Sequence, residues 1–236
     1  MKPIVAKSLL LAAALSLLAG TALAGNDNTI EIIQTNTLGI GNSLTADQSN
    51  ASGSWVQGAS LSDNKLVLGG PAEQTGGGNT ADLSISDSLN GAGGKIGLTQ
   101  SNTSSSLGNQ AIVSVTGNGI GLVRQVGNGN LANLSVTGRD ASGSIFQNGD
   151  GNRVGGLTEP GLSVSGTGAH GSITLNGNDN NVGLSVSGAG TSVSYTLTGN
   201  GVTALMPDAT VATTYGDLQV YSNSGAAITI TQTTLP

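Results

Sequence analysis

The chain has 236 residues, and its 39 Gly and 5 Pro stay below the roughly 25–30% joint share that marks aperiodic, low-complexity disorder. Aromatic residues make up 2% and charged residues 8%, so Ser, Thr, Asn, Gln and Gly must face water, and the large anchors of a conventional enzyme core are nearly absent. The net charge of −6 argues against an electrostatic grip on nucleic acid, and the lack of cysteine excludes disulfides and thiolate metal sites.

Residues 1–24 read as a cleaved signal peptide. Lys2 and Lys7 form a basic start, Ser8 to Ala19 is mostly Leu and Ala, and Ala22-Leu23-Ala24 is a small-x-small cleavage site. The mature chain is expected to begin near Gly25. No later stretch approaches the ~18 apolar residues of a membrane span, so no integral membrane segment is expected in the mature chain. No Cys follows the cleavage site, so a lipoprotein anchor is not indicated.

Residues 25–188 repeat. Gln-x-Gly-x-Gly-Asn occurs at Gln74 to Asn79, Gln125 to Asn130 and Gln147 to Asn152, with a degenerate copy at Leu175 to Asn180. Looser copies run Gln34 to Asn42, Gln57 to Asn64 and Gln100 to Asn109. Asn109, Asn130 and Asn152 recur at intervals of 21 and 22 residues. The longer step of 28 to Asn180 contains an evident insertion at Leu157-Thr158-Glu159-Pro160-Gly161. Ahead of each Gln, an apolar residue stands two positions back: Ile32, Trp55, Leu98, Val123, Ile145. After the Asn the same parity stays apolar, as in Ala111, Val113, Val115 and Ala132, Leu134, Val136, while the other parity is Ser or Thr. Period 2 is the period of a strand. The Gly-x-Gly-Asn between strands is turn chemistry, because Gly and Asn tolerate positive φ; Gly117, Gly138, Gly166 and Gly188 close the second strand in the same way.

The expected fold is therefore all-β, a β-solenoid of strand–turn–strand coils of about 22 residues, in which each thin coil buries its apolar face only by stacking on its neighbours. Equivalent residues then stack along the axis. Asn and Gln suit this because each side-chain amide both donates and accepts. The residues expected to form such self-assembly ladders are Gln34, Asn42, Gln48, Gln57, Gln74, Asn79, Gln100, Asn109, Gln125, Asn130, Gln147 and Asn152.

Residues 189–236 fit the repeat less well and read as divergent β repeats or a C-terminal cap. Val193, Tyr195 and Leu197 alternate, Gly199-Asn200-Gly201 turns, Met206-Pro207-Asp208 reads as a loop, and Val211 to Tyr221 and Ala227 to Gln232 read as further strands.

Chemistry-bearing constellations are sparse. His170, the only histidine, lies between Ala169 and Gly171 in a turn-like stretch with no carboxylate to fix it beside a Ser. Asp150 and Asp179 fall in corresponding turns but lack the nine-residue Asp recurrence of calcium-binding solenoids. The Gly-x-Gly runs precede no helix and so are not phosphate loops. Basic residues are spread from Lys65 to Arg153 rather than grouped in a groove. An enzyme is not expected, nor a cofactor or metal.

The repeats carry a family pattern. They resemble the curlin repeat of bacterial curli fibre subunits, Gln-x-Gly-x-Gly-Asn-x-Ala-x-x-x-Gln. Gln74 to Ala81 and Gln125 to Ala132 match through Asn-x-Ala, Gly39, Gly41, Asn42 and Gln48 match the second half, and Asn109 and Ala111 match locally. The second Gln survives only as Gln48; Ile85, Val115 and Val136 stand at its other positions, which makes that face greasier. The resemblance covers roughly residues 30–188. It implies passage through the periplasm and an outer-membrane curli export channel with accessory factors, followed by assembly with itself or a paralogous fibre subunit into cell-surface amyloid for adhesion and biofilm. The alternative is a monomeric solenoid acting as a surface adhesin or ligand-binding (including ice-binding) protein through its Ser/Thr face.

Overall fold

The computed structural model describes residues 27–86, 93–104, 107–158, 160–210 and 215–221, with backbone alone for 204–210 and 215–221. The leader at 1–24 and the expected strand at Ala227 to Gln232 lie outside these residues. Within them the chain is an all-β parallel solenoid. Each turn contributes one strand to each of two sheets. The first sheet stacks Thr29–Ile30 with Ile32–Asn36, then Trp55–Gln57 with Ala72–Gly76, then Lys95–Ser101, Ile120–Val126, Ser142–Asn148, His170–Asn176, Ser192–Thr198 and Tyr215–Tyr221. The second stacks Ser43–Asn50, Thr80–Ser86, Gln110–Thr116, Leu131–Thr137, the split pair Arg153–Val154 and Leu162–Ser165, Asn181–Ser187 and Thr203–Thr210. Pairing is parallel because consecutive strands of one sheet are separated by a passage through the other. The turn length is about 26 residues on average, above the 22 expected, because two coils carry insertions.

Period 2 is realised directly: along Gln110–Thr116, after the exposed Gln110, buried and half-buried residues alternate, and Asn181–Ser187 alternates throughout. The core is a set of columns. Leu83, Val113, Leu134, Leu162 and Leu184 form one, and Ile85, Val115, Val136, Val164 and Val186 another. All of these are almost fully buried. Opposite them the first sheet carries Gly121, Gly143 and Gly171 in one column. A Cβ on Gly143 would meet Leu134 Cδ1 at 2.6 Å and Val136 Cγ2 at 2.9 Å. The absent side chains let the branched residues of the facing sheet fill the interior at close sheet separation.

The turns explain the Gly-x-Gly spacing. Gly127 and Gly129 have φ of 112° and 66°, and Gly149 and Gly151 repeat this with 129° and 66°; a left-handed conformation at both sites favours glycine. The insertion expected at Leu157 to Gly161 leaves the coil after Val154 and re-enters at Leu162, with Gly155 bridged to Pro160 at its base.

Two readings change. Gln57 to Asn64 is not a coil. Residues 58–71 are an insertion containing an antiparallel hairpin, Ala59–Ser62 with Lys65–Leu68, and Asn64 sits at its tip with φ 62°. The insertion interrupts one strand cleanly: Gln57 pairs with Gly97 and Glu73 with Thr99, so Ala72 continues the strand opposite Leu98. This accounts for the 40-residue interval between Gln34 and Gln74, against 26 for the next. The hairpin folds over the outer face of the first sheet, where Leu122 is buried and Arg124 Nη1 donates to the Ala59 carbonyl at 3.3 Å. Second, Met206-Pro207-Asp208 is not a loop; it lies within strand Thr203–Thr210, whose register shifts there. The parallel pairing runs on past residue 188, through Ser192–Thr198 to Tyr215–Tyr221. Tyr195 is fully buried among the aliphatic columns, and its hydroxyl has no hydrogen-bond partner among the described residues. Desolvation raises its pKa above the ordinary 10.0.

Candidate functional site: the stacked amide ladders

Two columns of the interior are polar. In the first sheet Gln34, Gln74, Gln100, Gln125 and Gln147 stand in register. Each Nε2 donates to the Oε1 of the next: 2.6 Å from Gln34 to Gln74, 2.7 Å to Gln100, 2.8 Å to Gln125 and 2.9 Å to Gln147. The second N–H crosses to the opposite strand, from Gln74 to the Ser43 carbonyl, Gln100 to Thr80, Gln125 to Gln110 and Gln147 to Leu131. Room for these amides comes from the small column Ala81, Ala111, Ala132 of the second sheet. Where Gln gives way to Leu175 and Leu197, that column becomes Val154 and Val182. Polar and apolar fillings thus change together along the two facing columns.

The Asn ladder sits at the turn. The side-chain Oδ1 of each Asn accepts the backbone N–H of the next: Asn42 from Asn79 at 3.0 Å, Asn79 from Asn109 at 3.0 Å, Asn109 from Asn130 at 3.0 Å, and Asn130 from Asn152 at 2.9 Å. Its Nδ2 donates onward to a turn carbonyl, Gly127 for Asn109, Gly149 for Asn130 and Gly177 for Asn152. The side chain thus satisfies the backbone groups that a tight turn takes out of the sheet. Asn180 continues this ladder, and Val202 ends it by donating its N–H to Asn180 Oδ1 at 3.1 Å.

Gln48 and Gln57 are outside these stacks. Gln48 falls at an irregularity of strand Ser43–Asn50. Its Nε2 donates to Ser54 Oγ at 2.7 Å, closing a corner in which Ser54 N–H also donates to Asn28 Oδ1. Gln57 follows the inward Val56 and so has outward parity, while Trp55, also outward, is 44% exposed. The apparent match of Trp55 and Gln57 to the motif arose from the hairpin that cuts the strand.

A further ladder runs on the outer side of the turn. Asp150 Oδ1 accepts the Asn128 N–H at 2.7 Å, Asn178 Oδ1 accepts that of Asp150 at 2.8 Å, and Asn200 Oδ1 accepts that of Asn178 at 2.7 Å. The sequence signal was present as the middle residue of Gly-x-Gly at Asn128, Asp150 and Asn200, and as Asn178 after Gly177. His170, on the outer face, has Nδ1 2.6 Å from Ser142 Oγ, its neighbour on the adjacent strand. No group of three or more potential metal ligands is found among the described residues. Comparison with family models, with curated proteins and with solved structures yields no match.

Proposed function

We propose that this protein is a secreted structural subunit that assembles into curli-like cross-β fibres at the cell surface, with itself or a related fibre subunit as partner and without enzymatic activity. The observation that carries this reading is the exposure of inward-column residues on the first strands described, at the N-terminal side of the solenoid. Ile30 and Ile32 pair with Val56 and Ala72 in the inward columns. Val56 and Ala72 are 1% and 0% exposed, yet Ile30 and Ile32 are 45% and 38% exposed. A parallel edge that no strand covers among the described residues, with aliphatic residues in its inward columns, is a template for a further strand. The two amide ladders supply the in-register stacking that stabilises cross-β assemblies, and the resemblance to curlin repeats supports the cell-surface setting and the export route. The test is a time course of the chain from Gly25 onward, diluted from denaturant at micromolar concentration, followed by thioflavin fluorescence and loss of soluble protein. Lag-phase growth that seeds shorten is expected. A soluble monomer persisting for days with seeds present overturns the reading.

One observation favours a second reading. Ser84, Ser114, Ser135, Ser163 and Ser185 form an unbroken outward column, beside Ser86, Thr116, Thr137, Ser165 and Ser187. A monomeric adhesin or ice-binding protein would use that face, and saturable binding by a stable monomer is its signature.

A further inference from the structure

Arg124 is a cation without a counter-ion. Its Nη1 donates to the Ala59 carbonyl at 3.3 Å, its Nε is buried without an acceptor, and it makes no ion pair among the described residues. The acid of its own outward column, Glu73, stands two rungs away and accepts from Thr75 Oγ1 instead. Nη2 makes no hydrogen bond and reaches solvent. The Nε–Nη2 edge, the fork that matches a planar carboxylate, is therefore unused, and a buried donor without an acceptor is rare enough in a folded protein to need a reason.

The apolar surroundings of Arg124 are open on one side. Ala59 N–H donates to Thr99 Oγ1 at 3.2 Å, and its carbonyl accepts from Arg124 one rung further on. The hairpin thus runs along the stack, and its tip points toward the next rung, where the half-buried Phe146 stands in register with Arg124. Leu61 and Leu66 pair across the hairpin, on the same face as Ala59 and Leu68. That face is seated on the sheet at its base, where a Cβ on Gly97 would meet Leu68 Cδ2 at 3.0 Å. Ala59 is 0% exposed, yet Leu61 is 43% exposed. The tip stands off the sheet, with aliphatic side chains on its inner side left open to solvent.

From this we infer that the space between the hairpin tip and the outer face of the first sheet binds a small amphipathic monocarboxylate, an aliphatic acid of medium chain length. The carboxylate takes the Nε–Nη2 edge of Arg124, and the tail lies along the stack with Phe146 beneath it and Leu61 and Leu66 above. Passing Phe146 carries the tail across about two rungs, ~10 Å, which sets the chain length. Charge and tail are both needed: the fork supplies the orienting hydrogen bonds, and the open aliphatic side chains supply the apolar contact. The site lies on the flank of the solenoid, away from its ends, so the inference is independent of the fibre reading.

The test titrates the chain from Gly25 onward, freshly diluted as monomer, with octanoate, octanol and acetate by calorimetry. Octanoate is expected to saturate one site per chain and to bind about tenfold or more tightly than octanol, which keeps the tail without the charge, and than acetate, which keeps the charge without the tail. Arg124→Met keeps an apolar stem under the hairpin and is expected to weaken octanoate to the level of octanol while leaving octanol unchanged. Leu61→Ser changes an exposed position and is expected to weaken octanoate about threefold to tenfold; it keeps the inference testable should Arg124→Met disturb the hairpin, which circular dichroism reports. Absence of saturable octanoate binding, equal binding of octanol, or unchanged octanoate binding in either folded variant overturns the inference.

Discussion

Gln125 is the most informative residue to remove, because it has a ladder neighbour on each side. It is fully buried, accepts from Gln100 Nε2 at 2.8 Å, and donates to Gln147 Oε1 and the Gln110 carbonyl, each at 2.9 Å. Gln125→Leu keeps the volume and copies what the chain itself does at Leu175. It leaves one N–H of Gln100 and the Oε1 of Gln147 buried and unpartnered, at about 1–3 kcal/mol each. Burying the leucine returns about 1.5–3 kcal/mol. A net loss of about 1–3 kcal/mol is expected. Gln147→Leu strips only one ladder bond and sets the new side chain against Leu175, so it should cost less than about 1 kcal/mol by the same reckoning. The assay is urea unfolding of the monomer, followed by circular dichroism, for both variants. Equal losses, or a greater loss at 147, would refute the argument that ladder position sets the cost.

Other outcomes follow from the packing. Deleting residues 58–71 should join Gln57 to Ala72 in frame and leave the β spectrum of the solenoid unchanged, while uncovering Leu122 and Arg124 and lowering solubility; loss of the β signal would contradict the clean interruption of one strand. Gly143→Ala places a methyl against Leu134 and Val136 and should destabilise by about 1–3 kcal/mol through overpacking, measurable in the same unfolding assay. Tyr195→Phe removes a buried hydroxyl without a partner and should stabilise by about 1 kcal/mol near neutral pH. Because the folded-state pKa of Tyr195 is raised above the ordinary 10.0, the folded state holds the proton more tightly. Native stability should therefore fall as pH rises above about 10 toward the folded value, and the Phe variant should lose less over that range.

How far the fold was legible follows from where each signal is stored. Strand parity is local, so Ala111, Val113, Val115 and their copies disclosed strands and inward faces without any tertiary knowledge. The ladders were legible because Gln125 and Asn130 recur in fixed phase with that parity. Gln57 misled because an insertion between Gln57 and Ala72 severs a strand, and the resulting Gln-to-Asn64 spacing imitates a turn of the coil. Gln48 misled because, although it keeps the inward parity of Leu44 and Ala46 and is buried, the register shifts after Asp47 and its amide bonds Ser54 instead of a stacked Gln; such a shift has no composition signal. The outer ladder was visible only as the variable letter after a turn glycine, between two glycines at Asn128, Asp150 and Asn200 and between Gly177 and Asp179 at Asn178. Its role depends on which coil lies above, and that is a property of the stack rather than of any one repeat.

The measurement that bears most directly on the central claim is fibre diffraction from aligned specimens of the assembled chain. Strands stacked in register along the solenoid axis predict a meridional reflection at about 4.7–4.8 Å, with sheet packing near 10 Å on the equator. Failure of the chain to form ordered assemblies, or a strand spacing that lies across the fibre instead of along it, would contradict assembly by continuation of the coil stack.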